Sequence, residues 1–233
     1  MHPNQGIKMK IDIVFPKNNE KEFIRLAEKL DWGGLCFVYS GNFKNNKTRL
    51  KELSKTTKLK LFAGLLALQK DIQKARQISD LVIVNSSEKD QYVLEKSPPD
   101  VLFGMEFHKT KESMHFRASG LNQVLCKLAN NNKVIIPIPL KLINDSDNKP
   151  LIFGRIMQNI MLCRKYKVEQ AIASFAEKPY ELKSSNGLMS LAITLGMDIP
   201  SAKKSLNSIG EKIKHNQKKK SPDYIKEGIE LVK

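Results

Sequence analysis

Histidines and carboxylates are the residues of this chain that could do metal chemistry. The sequence has four histidines, and two of them, His108 and His115, follow Glu106 closely. With Asp12 these residues could form a weak metal site, because imidazole and carboxylate groups are the usual ligands of catalytic zinc. The alternative is a pair of surface histidines beside one ordinary carboxylate. The chain contains no G-x-S-x-G, P-loop or H-E-x-x-H motif, so the sequence contains no complete catalytic set.

The segment from His115 to Ala129 could bind a phosphate. Ser119 is a residue type that caps helix N-termini, and an apolar stripe at helical spacing follows it. A helix start offers free N–H groups and the positive end of the helix dipole, and His115 and Arg117 stand just before it. The alternative is that Ser119 only caps the helix and that Arg117 pairs with a carboxylate. The stripe that we expect to be buried consists of Leu121, Val124, Leu125, Leu128 and Ala129.

A second segment, residues 153–167, combines an apolar stripe with basic ends. Ile156, Ile160 and Cys163 recur at helical spacing and are expected to face the core. A run of charges is usually a solvated helix face, and phosphate binding is the functional alternative. Met157 and Met161 are expected to serve packing rather than a cofactor. The cations that cluster near the two ends are Arg155, Arg164, Lys165 and Lys167.

The charge balance points to a polyanionic partner. The 233 residues include 40 Lys and Arg against 24 Asp and Glu, which gives a formal net charge of +16.

No apolar run reaches the roughly 18–20 residues needed to cross a bilayer, and the N-terminus lacks an apolar signal region, so we expect a cytoplasmic protein. The three cysteines, Cys36, Cys126 and Cys163, are too far apart for a disulfide framework or a zinc ribbon.

Seven short strands, separated by helical patterns, must position these residues. Most of the strands are continuous apolar runs, as expected where helices cover both faces of a parallel sheet. Their starts lie roughly 20 to 37 residues apart, which leaves room for a crossover helix, and the first helix is expected at residues 20–30. The pattern favours an α/β fold, and a TIM-barrel-like (β/α) barrel over an open sheet, because no G-x-G-x-x-G follows the first strand. The expected strands are residues 10–15, 35–39, 59–65, 81–84, 101–103, 134–138 and 170–175.

The composition changes near the end of the chain. No compositional break divides residues 9–200, and we expect residues 1–202 to form a single barrel domain. Residues 203–233 contain nine lysines and four acidic residues, and therefore carry about +5 of the net charge. We expect this stretch to be a basic C-terminal helix or tail, partly helical at best.

Two segments resemble a known family. Residues 115–125 (HFRASGLNQVL) and 154–168 (GRIMQNIMLCRKYKV) are similar to ribonuclease P protein component 3, the thirty-kilodalton subunit family of archaeal and eukaryotic RNase P. The resemblance covers about residues 9–205, and the compact length suggests the archaeal form. It implies a TIM-barrel-like fold related to the polymerase-and-histidinol-phosphatase family of metal-dependent phosphoesterases. Those enzymes carry an H-x-H pair on the first strand, where this chain has Asp12-Ile13-Val14, which counts against an independent hydrolase.

The resemblance implies that the chain is an RNA-binding subunit of ribonuclease P, the ribonucleoprotein that removes the 5′ leader from precursor tRNA. In that particle the RNA carries the catalytic site and uses Mg²⁺, so no catalytic residue, metal or cofactor is expected in this chain. The implied protein partners are RNase P component 2, in a heterodimer that can pair into a heterotetramer, components 1 and 4, and the ribosomal protein of the L7Ae type. A stand-alone metal-dependent phosphoesterase and a non-specific basic RNA-binding protein are the alternatives.

Together with the charge pattern, the resemblance implies a surface that neutralises phosphates of the RNase P RNA and holds its catalytic domain in the active shape. Recognition of shape and backbone is expected, since side chains cannot read the narrow A-form major groove and the chain has one Trp. Arg117 and Arg155 are expected to hold phosphates bidentately, which lysine does not do. The residues expected at this surface are His115, Arg117, Ser119, Lys127, Arg155, Arg164 and Lys165.

Overall fold

Seven parallel strands form the centre of the molecule. The computed structural model of the protein describes residues 9–107, 118–221, 224–226 and 229–230. All seven strands expected from the sequence are present within these residues. They are β1 (Ile11–Val14), β2 (Gly34–Tyr39), β3 (Lys60–Leu66), β4 (Leu81–Asn85), β5 (Val101–Phe103), β6 (Ile136–Pro139) and β7 (Gln170–Ala173).

The strands curl into a ring. β1 to β5 form one parallel sheet in sequence order, and β6 and β7 form a second parallel pair. Single parallel bridges join the two sheets at both edges, between Val101 and Ile135 and between Val14 and Ala176. The backbone N–H of Phe15 donates to the carbonyl oxygen of Ala176 at 2.8 Å, which closes the ring between β7 and β1. The predicted TIM-barrel-like (β/α) architecture is thereby confirmed.

Helices connect the strands and cover the outside of the ring. At least one helix lies between each pair of successive strands of the ring, as parallel pairing requires. The helix predicted at residues 20–30 is confirmed as α1. The helices are α1 (Glu20–Lys29), α2 (Phe43–Leu53), α3 (Ile72–Ile78), α4 (Asp90–Lys96), α5 (Gln123–Asn131), α6 (Leu140–Asp145), α7 (Lys149–Tyr166), α8 (Ser185–Thr194) and α9 (Ile199–Lys219). A short antiparallel pair follows, made of β8 (Tyr224–Lys226) and β9 (Ile229–Glu230).

Both faces of the strands are buried, which explains their continuous apolar sequences. Alternate residues of β1 point in opposite directions: Ile11 and Ile13 pack inside the ring, whereas Val14 packs against the surrounding helices. The apolar side chains inside the ring include Cys36, Val38, Phe62, Leu81, Ile83, Val101, Phe103, Ile135, Ala171, Ala173 and Phe175. Among the described residues, none of the helices is both long enough and apolar enough to span a bilayer.

Helix α9 covers the end of the ring where the strands begin. Its side chains Ile209 and Ile213 belong to the apolar cluster inside the ring. Gly210 allows a close approach to the chain before β1, because a Cβ at this position would lie 2.5 Å from the carbonyl oxygen of Met9. The packing of α9 is therefore part of the barrel core.

Residues 203–219 are helical throughout and pack on the barrel, so the expectation of a basic segment that is partly helical at best is wrong for them. These residues continue the 21-residue helix α9, and one face of that helix is buried. This stretch is rich in lysine, but it also contains an apolar pattern spaced by three and four residues, which predicts an amphipathic helix. The residues that carry this pattern are Ala202, Leu206, Ile209 and Ile213.

Two aspartates at strand starts hold α9 in place. The carboxylates of Asp80 and Asp100 each accept a hydrogen bond from a backbone N–H of the preceding strand, at 2.9 and 2.8 Å. The same carboxylates accept from α9: Asn216 Nδ2 donates to Asp100 Oδ2 at 2.9 Å, and Gln217 Nε2 donates to Asp80 Oδ1 at 3.3 Å. The helix is thus fixed by polar contacts as well as by apolar packing.

Candidate functional site

A buried polar cluster lies between α7 and the chain that follows β5. We define it by Glu106, Ser119, Arg155 and Asn159, all of which are buried. Arg155 Nη1 donates to the carbonyl oxygen of Glu106 at 2.7 Å. Asn159 Nδ2 donates to the carbonyl oxygen of Ser119 at 2.9 Å and to Glu106 Oε1 at 3.0 Å. The cluster therefore attaches a 3-10 turn, Met105–Phe107, and the irregular stretch at Ser119 to one face of α7.

Burial dominates the electrostatics of the buried polar cluster. It raises the pKa of Glu106 from 4.5 to about 7, although the hydrogen bond from Asn159 and the charge of Arg155 act in the opposite direction. In the described part of the chain, Glu106 Oε2, Ser119 Oγ and Asn159 Oδ1 are buried without a hydrogen-bond partner. A neutral Glu106 is compatible with this environment, because a protonated carboxyl avoids the cost of a buried charge.

The prediction that Ser119 caps the following helix is wrong. Helix α5 begins at Gln123, and the side chain of Asn122 caps it by accepting from the N–H of Leu125 at 2.9 Å. The later start follows from Gly120, which adopts a left-handed backbone with φ of 86°. A Cβ at Gly120 would lie 2.3 Å from the carbonyl oxygen of Met105, so the chain must make a tight turn here before the helix begins.

The structure also corrects two expectations for α7. Arg155 is only 1% exposed and points into the buried polar cluster, so it does not present its guanidinium to a ligand at the surface. Met157 and Met161 do not pack in the core but are 43% and 61% exposed. The predicted core stripe of Ile156, Ile160 and Cys163 is confirmed. Val124 of α5, also expected to be buried, is exposed.

Exposed cations converge at the end of the ring that α9 covers. Lys133, Arg164, Lys167 and Lys204 line a cavity of about 400 Å³, which we call the basic cleft. Two carboxylates, those of Glu169 and Asp198, also line it, so the side chains around the basic cleft carry an excess of positive charge. Such an excess attracts anions and suits the phosphates of a nucleic acid.

Helix ends place these cations. Arg164 lies in the last turn of α7, and Lys167 ends that helix in a left-handed conformation with φ of 57°. Lys133 has the same kind of conformation, with φ of 53°, between α5 and β6. Lys204 lies on α9, one turn after the start of the helix. The basic cleft therefore forms where two helices end and a third begins.

Asp198 is the acidic residue at the start of α9. Its Oδ1 accepts from the N–H of Ser201 at 2.9 Å, and its Oδ2 accepts from the hydroxyl of the same residue at 2.9 Å. These hydrogen bonds lower the pKa of Asp198, and Arg164 contributes a smaller effect in the same direction. Between the described residues Arg164 makes no ion pair within 4 Å. Its guanidinium is thus available to a ligand in the basic cleft.

The residues predicted to form one phosphate-binding surface are dispersed. Arg164 lines the basic cleft, while Ser119 and Arg155 belong to the buried polar cluster. Lys127 is exposed on α5, and Lys165 is exposed on α7 with its Nζ 5.5 Å from the ring centroid of Tyr166. His115 and Arg117 lie outside the described residues, as does His108.

The expected RNA surface did not include Lys133, Lys167 or Lys204, although Lys167 is one of the clustered cations of residues 153–167. A signal for the first two exists, because each stands between the end of a helix and the start of a strand. In a parallel barrel all such junctions face the same end of the ring. Lys204 has no such signal, because it lies in the lysine-rich stretch that the composition predicts to be a helix or tail outside the barrel.

Asp12, a candidate metal ligand, lies where the ring closes. Its carboxylate is fully buried, and Oδ1 accepts from the backbone N–H of Ser174 at 2.7 Å and from that of Ile13 at 2.9 Å. Burial raises the pKa of Asp12 from 3.8 to about 7. Within the residues that the structure describes, no group of three His, Cys, Asp or Glu side chains is arranged to hold a metal ion. Asp12 and Glu106 have separate hydrogen-bond partners.

Aromatic side chains occupy the opposite end of the ring, where the strands end. Barrel enzymes place their catalytic residues at this end. Here Phe15, Phe103 and Phe175 stand at the ends of β1, β5 and β7, with ring centroids 4.5 to 6.0 Å apart. Phenylalanine neither binds metal ions nor transfers protons, so these three positions offer no hydrolytic chemistry.

Comparison with known proteins identifies relatives over almost the whole chain. The model of the RNase P subunit p30 family matches residues 9–221. Ribonuclease P protein component 3 of Methanosarcina acetivorans is 31% identical over 165 residues, which cover 69% of this chain and 65% of that relative. The protein of the same name from Methanocaldococcus jannaschii is 24% identical over 240 residues, which cover 97% of this chain and 98% of the relative.

Solved structures with the same fold agree with these matches. A chain in the cryo-EM structure of archaeal ribonuclease P with mature tRNA has a TM-score of 0.80 at 20% identity, covering 96% of this chain and 98% of that chain. Histidinol phosphate phosphatase from Lactococcus lactis, in complex with zinc, L-histidinol and phosphate, has a TM-score of 0.53 at 10% identity, covering 88% and 94%. The resemblance noted from the two sequence segments is confirmed: the chain belongs to the RNase P subunit p30 family.

Proposed function

We propose that this chain is the RNA-binding subunit of a ribonuclease P that removes the 5′ leader from precursor tRNA, and that the basic cleft binds phosphates of the RNase P RNA. The observation that carries the proposal is the convergence of four cations around one cavity of about 400 Å³. Folded RNA brings phosphates close together, and fixed cations offset their repulsion while they release condensed counterions. Membership of the p30 family supports the identity of the RNA.

The four cations of the basic cleft have different roles in this proposal. Arg164 presents a planar guanidinium that can hold a phosphate through two parallel hydrogen bonds. Lys133, Lys167 and Lys204 act as point charges around it. The resulting recognition reads the backbone and the shape of the RNA rather than its sequence.

The buried polar cluster has a positioning role in the same proposal. Arg155 and Ser119 act through the chain that they hold and do not themselves contact a phosphate. Residues 118–122 are fixed by the bond from Asn159 to the carbonyl oxygen of Ser119. We propose His115, Arg117, Lys127 and Lys165 as further RNA contacts, on the basis of their charge and of the family resemblance.

Catalysis is proposed to reside in the RNA together with its Mg²⁺ ions, and this chain is proposed to supply no catalytic residue. The proposed protein partners are component 2, components 1 and 4, and the L7Ae-type ribosomal protein. The fold neighbour from the structure of archaeal ribonuclease P with mature tRNA supports an assembly of this kind. The aromatic strand ends Phe15, Phe103 and Phe175 favour this function over a stand-alone phosphoesterase.

The test combines neutral variants with a matched control. Lys133→Gln, Arg164→Gln and Lys204→Gln together remove three charges from the basic cleft. Arg25→Gln, Lys29→Gln and Lys51→Gln remove the same number from exposed positions on α1 and α2. Binding of the RNase P RNA is measured as a function of salt, because the slope of log K against log salt changes by about 0.9 for each phosphate contact.

We expect the cleft variant to bind the RNase P RNA more weakly and to lose about two to three units of salt slope. The control variant should match the wild type. Reconstitution of precursor-tRNA cleavage with and without this chain then tests the assignment to ribonuclease P. Equal affinity for unrelated structured RNA of the same length would instead identify a non-specific basic RNA-binding protein.

A further inference from the structure

A second cavity, of about 470 Å³, lies at the end of the ring opposite α9. Its lining follows the carboxyl ends of the strands, where barrel proteins build ligand sites. We call it the barrel mouth and define it by Phe15, Ser40, Asn85, Lys141 and Phe175. We propose that the barrel mouth binds one unstacked nucleobase of a single-stranded RNA segment. The proposal rests on the RNA-binding function proposed above and adds a site that is distinct from the basic cleft.

Three phenylalanines form the floor of the barrel mouth. The ring centroids of Phe103 and Phe175 are 4.5 Å apart with their planes at 31°, and Phe15 lies 6.0 Å from each of them. Phe175 is fully buried and Phe103 is 8% exposed, so packing fixes these two rings, and they support Phe15, which is partly exposed and accessible to a base. Stacking on fixed aromatic side chains is the common way in which proteins hold an unstacked base of any identity.

The backbone at Phe175 favours a binding role for this floor. Phe175 has a left-handed conformation with φ of 52°, which is costly for an aromatic residue. The conformation is held by the N–H of Ala176, which donates to Ser174 Oγ at 3.2 Å, and by the ring-closing bond from Phe15 to Ala176. Costly backbone conformations are enriched at binding sites, where the surrounding structure maintains them.

The rim of the barrel mouth offers unused hydrogen-bonding groups. Asn85, at the end of β4, and Ser40, after β2, are exposed. Neither side chain forms a hydrogen bond with any other part of the described chain. A carboxamide both donates and accepts, which is the combination that the edge of a nucleobase requires. An apolar protein side chain in the barrel mouth would leave these groups without partners, so a nucleobase is the better occupant.

The charges at the rim favour a neutral ligand group. Lys17 pairs with Glu177 at 2.7 Å, and Lys141 pairs with Asp145 and lies 3.7 Å from Glu181. These acidic residues compensate both lysines, whereas the lining of the basic cleft has four cations and two carboxylates. A phosphate would find no excess positive charge here, whereas a nucleobase needs none. The barrel mouth therefore suits the base, and the basic cleft suits the backbone.

The first test uses ligands without a phosphate, so that it does not depend on the basic cleft. Adenosine, cytidine, guanosine and uridine are each titrated into the full chain, labelled with ¹³C at its leucine and valine methyl groups. We expect the resonances of Val38, Leu66 and Leu142, which line the barrel mouth, to shift with a Kd in about the millimolar range. The resonances of Leu53 and Leu188, which pack elsewhere, should stay unchanged.

Two variants and a control sharpen the titration. Asn85→Ala should weaken nucleoside binding about two- to tenfold, because one hydrogen bond is lost. Asn186→Ala, an exposed asparagine on α8 outside the barrel mouth, is the matched control and should have no effect. Gly41→Leu should weaken binding, since Gly41 lines the cavity and a Cβ there meets nothing within 4 Å, so a larger side chain at the rim fits without a clash and narrows the space for a ligand.

The proposal is wrong if no nucleoside shifts these methyl resonances, or if the Gly41→Leu variant binds nucleosides as well as the wild type.

The source of the base is tested by photocrosslinking, with 5-iodouridine in the RNase P RNA in one sample and in the leader of precursor tRNA in the other. Crosslinks to Phe15 or Phe103 identify the source, and crosslinks confined to other surfaces overturn the proposal. Nucleoside binding combined with a failed reconstitution would reject the ribonuclease P function while it retains the base site.

Discussion

Asn159 Nδ2 donates to the carbonyl oxygen of Ser119 at 2.9 Å and so ties α7 to the chain that precedes α5. The same amide group donates to Glu106 Oε1 at 3.0 Å. Both hydrogen bonds are buried, so water cannot easily take the place of the Asn159 amide as donor to either oxygen. One side chain therefore secures both the 3-10 turn that follows β5 and the chain that precedes α5.

Asn159→Leu should lower the free energy of unfolding by about 2–4 kcal/mol, because it leaves two buried acceptors without their donor. Urea denaturation measures this change. Asn186→Leu is the matched control on an exposed helical position, where the expected change is within about 0.5 kcal/mol. Equal stability of the two variants would show that the Asn159 contacts do not hold the fold.

Arg155 and Arg164 should respond in opposite ways to substitution. Arg155→Ala removes a buried cation from its hydrogen-bond partners and should lower the free energy of unfolding by about 3 kcal/mol or more. Arg164→Ala removes an exposed cation and should leave stability within about 0.5 kcal/mol while it weakens RNA binding. Thermal denaturation and RNA titration of the same preparations test both statements. If the Arg155→Ala variant has normal stability and reduced RNA affinity, Arg155 contacts the RNA and its structural role is refuted.

The stability of the protein should fall as pH rises from about 4.5 to 7, in part because of Glu106. Burial raises the pKa of this residue from 4.5 to about 7. The folded state therefore retains a proton that the unfolded chain has already released, and the linkage relation makes stability decrease through this window. Glu106→Gln does not titrate, so it should gain up to about 3 kcal/mol relative to the wild type between pH 4.5 and 7. Identical pH dependence of the two proteins in urea denaturation would refute this role.

Ile213→Ala should destabilise the barrel by about 2–4 kcal/mol, because the side chain is fully buried inside the ring. Ile199→Ala is the matched control on the same helix, since Ile199 is 55% exposed. Chemical denaturation of both variants measures the difference. If residues 203–219 were a detached tail, both substitutions would be neutral.

The strands were predictable because burial on both faces leaves a continuous apolar signal. The run Leu81–Asn85 is apolar except for its last residue. Successive runs are far enough apart along the chain to leave room for a helix between them, which is what parallel pairing requires. Helix α1 was predictable for the opposite reason, since one face of its sequence is apolar and the other is charged. The ring follows from the repetition of these two patterns.

The site was less predictable, because charge alone does not show whether a residue faces solvent. Arg155 and Arg164 look alike in sequence, yet one is buried against Glu106 and the other lines the basic cleft. Their difference arises from their positions around α7, where Arg155 lies on the same face as Asn159. The basic cleft itself depends on junctions from three helices that are distant in sequence, so no local pattern could reveal it.

The closure of the ring has a consequence for how the chain folds. The carboxylate of Asp12 accepts from the N–H of Ser174, and these residues are 162 positions apart. A contact at such sequence separation is among the last that a chain can make during synthesis, because its second partner must first leave the ribosome. Until then one edge of β1 is paired with β2, whereas the edge that later meets the end of β7 is unpaired and open to other chains. Before closure, the carboxylate of Asp12 has not yet met Ser174, and a carboxylate on this strand makes the open edge a poor partner for an apolar strand from another molecule.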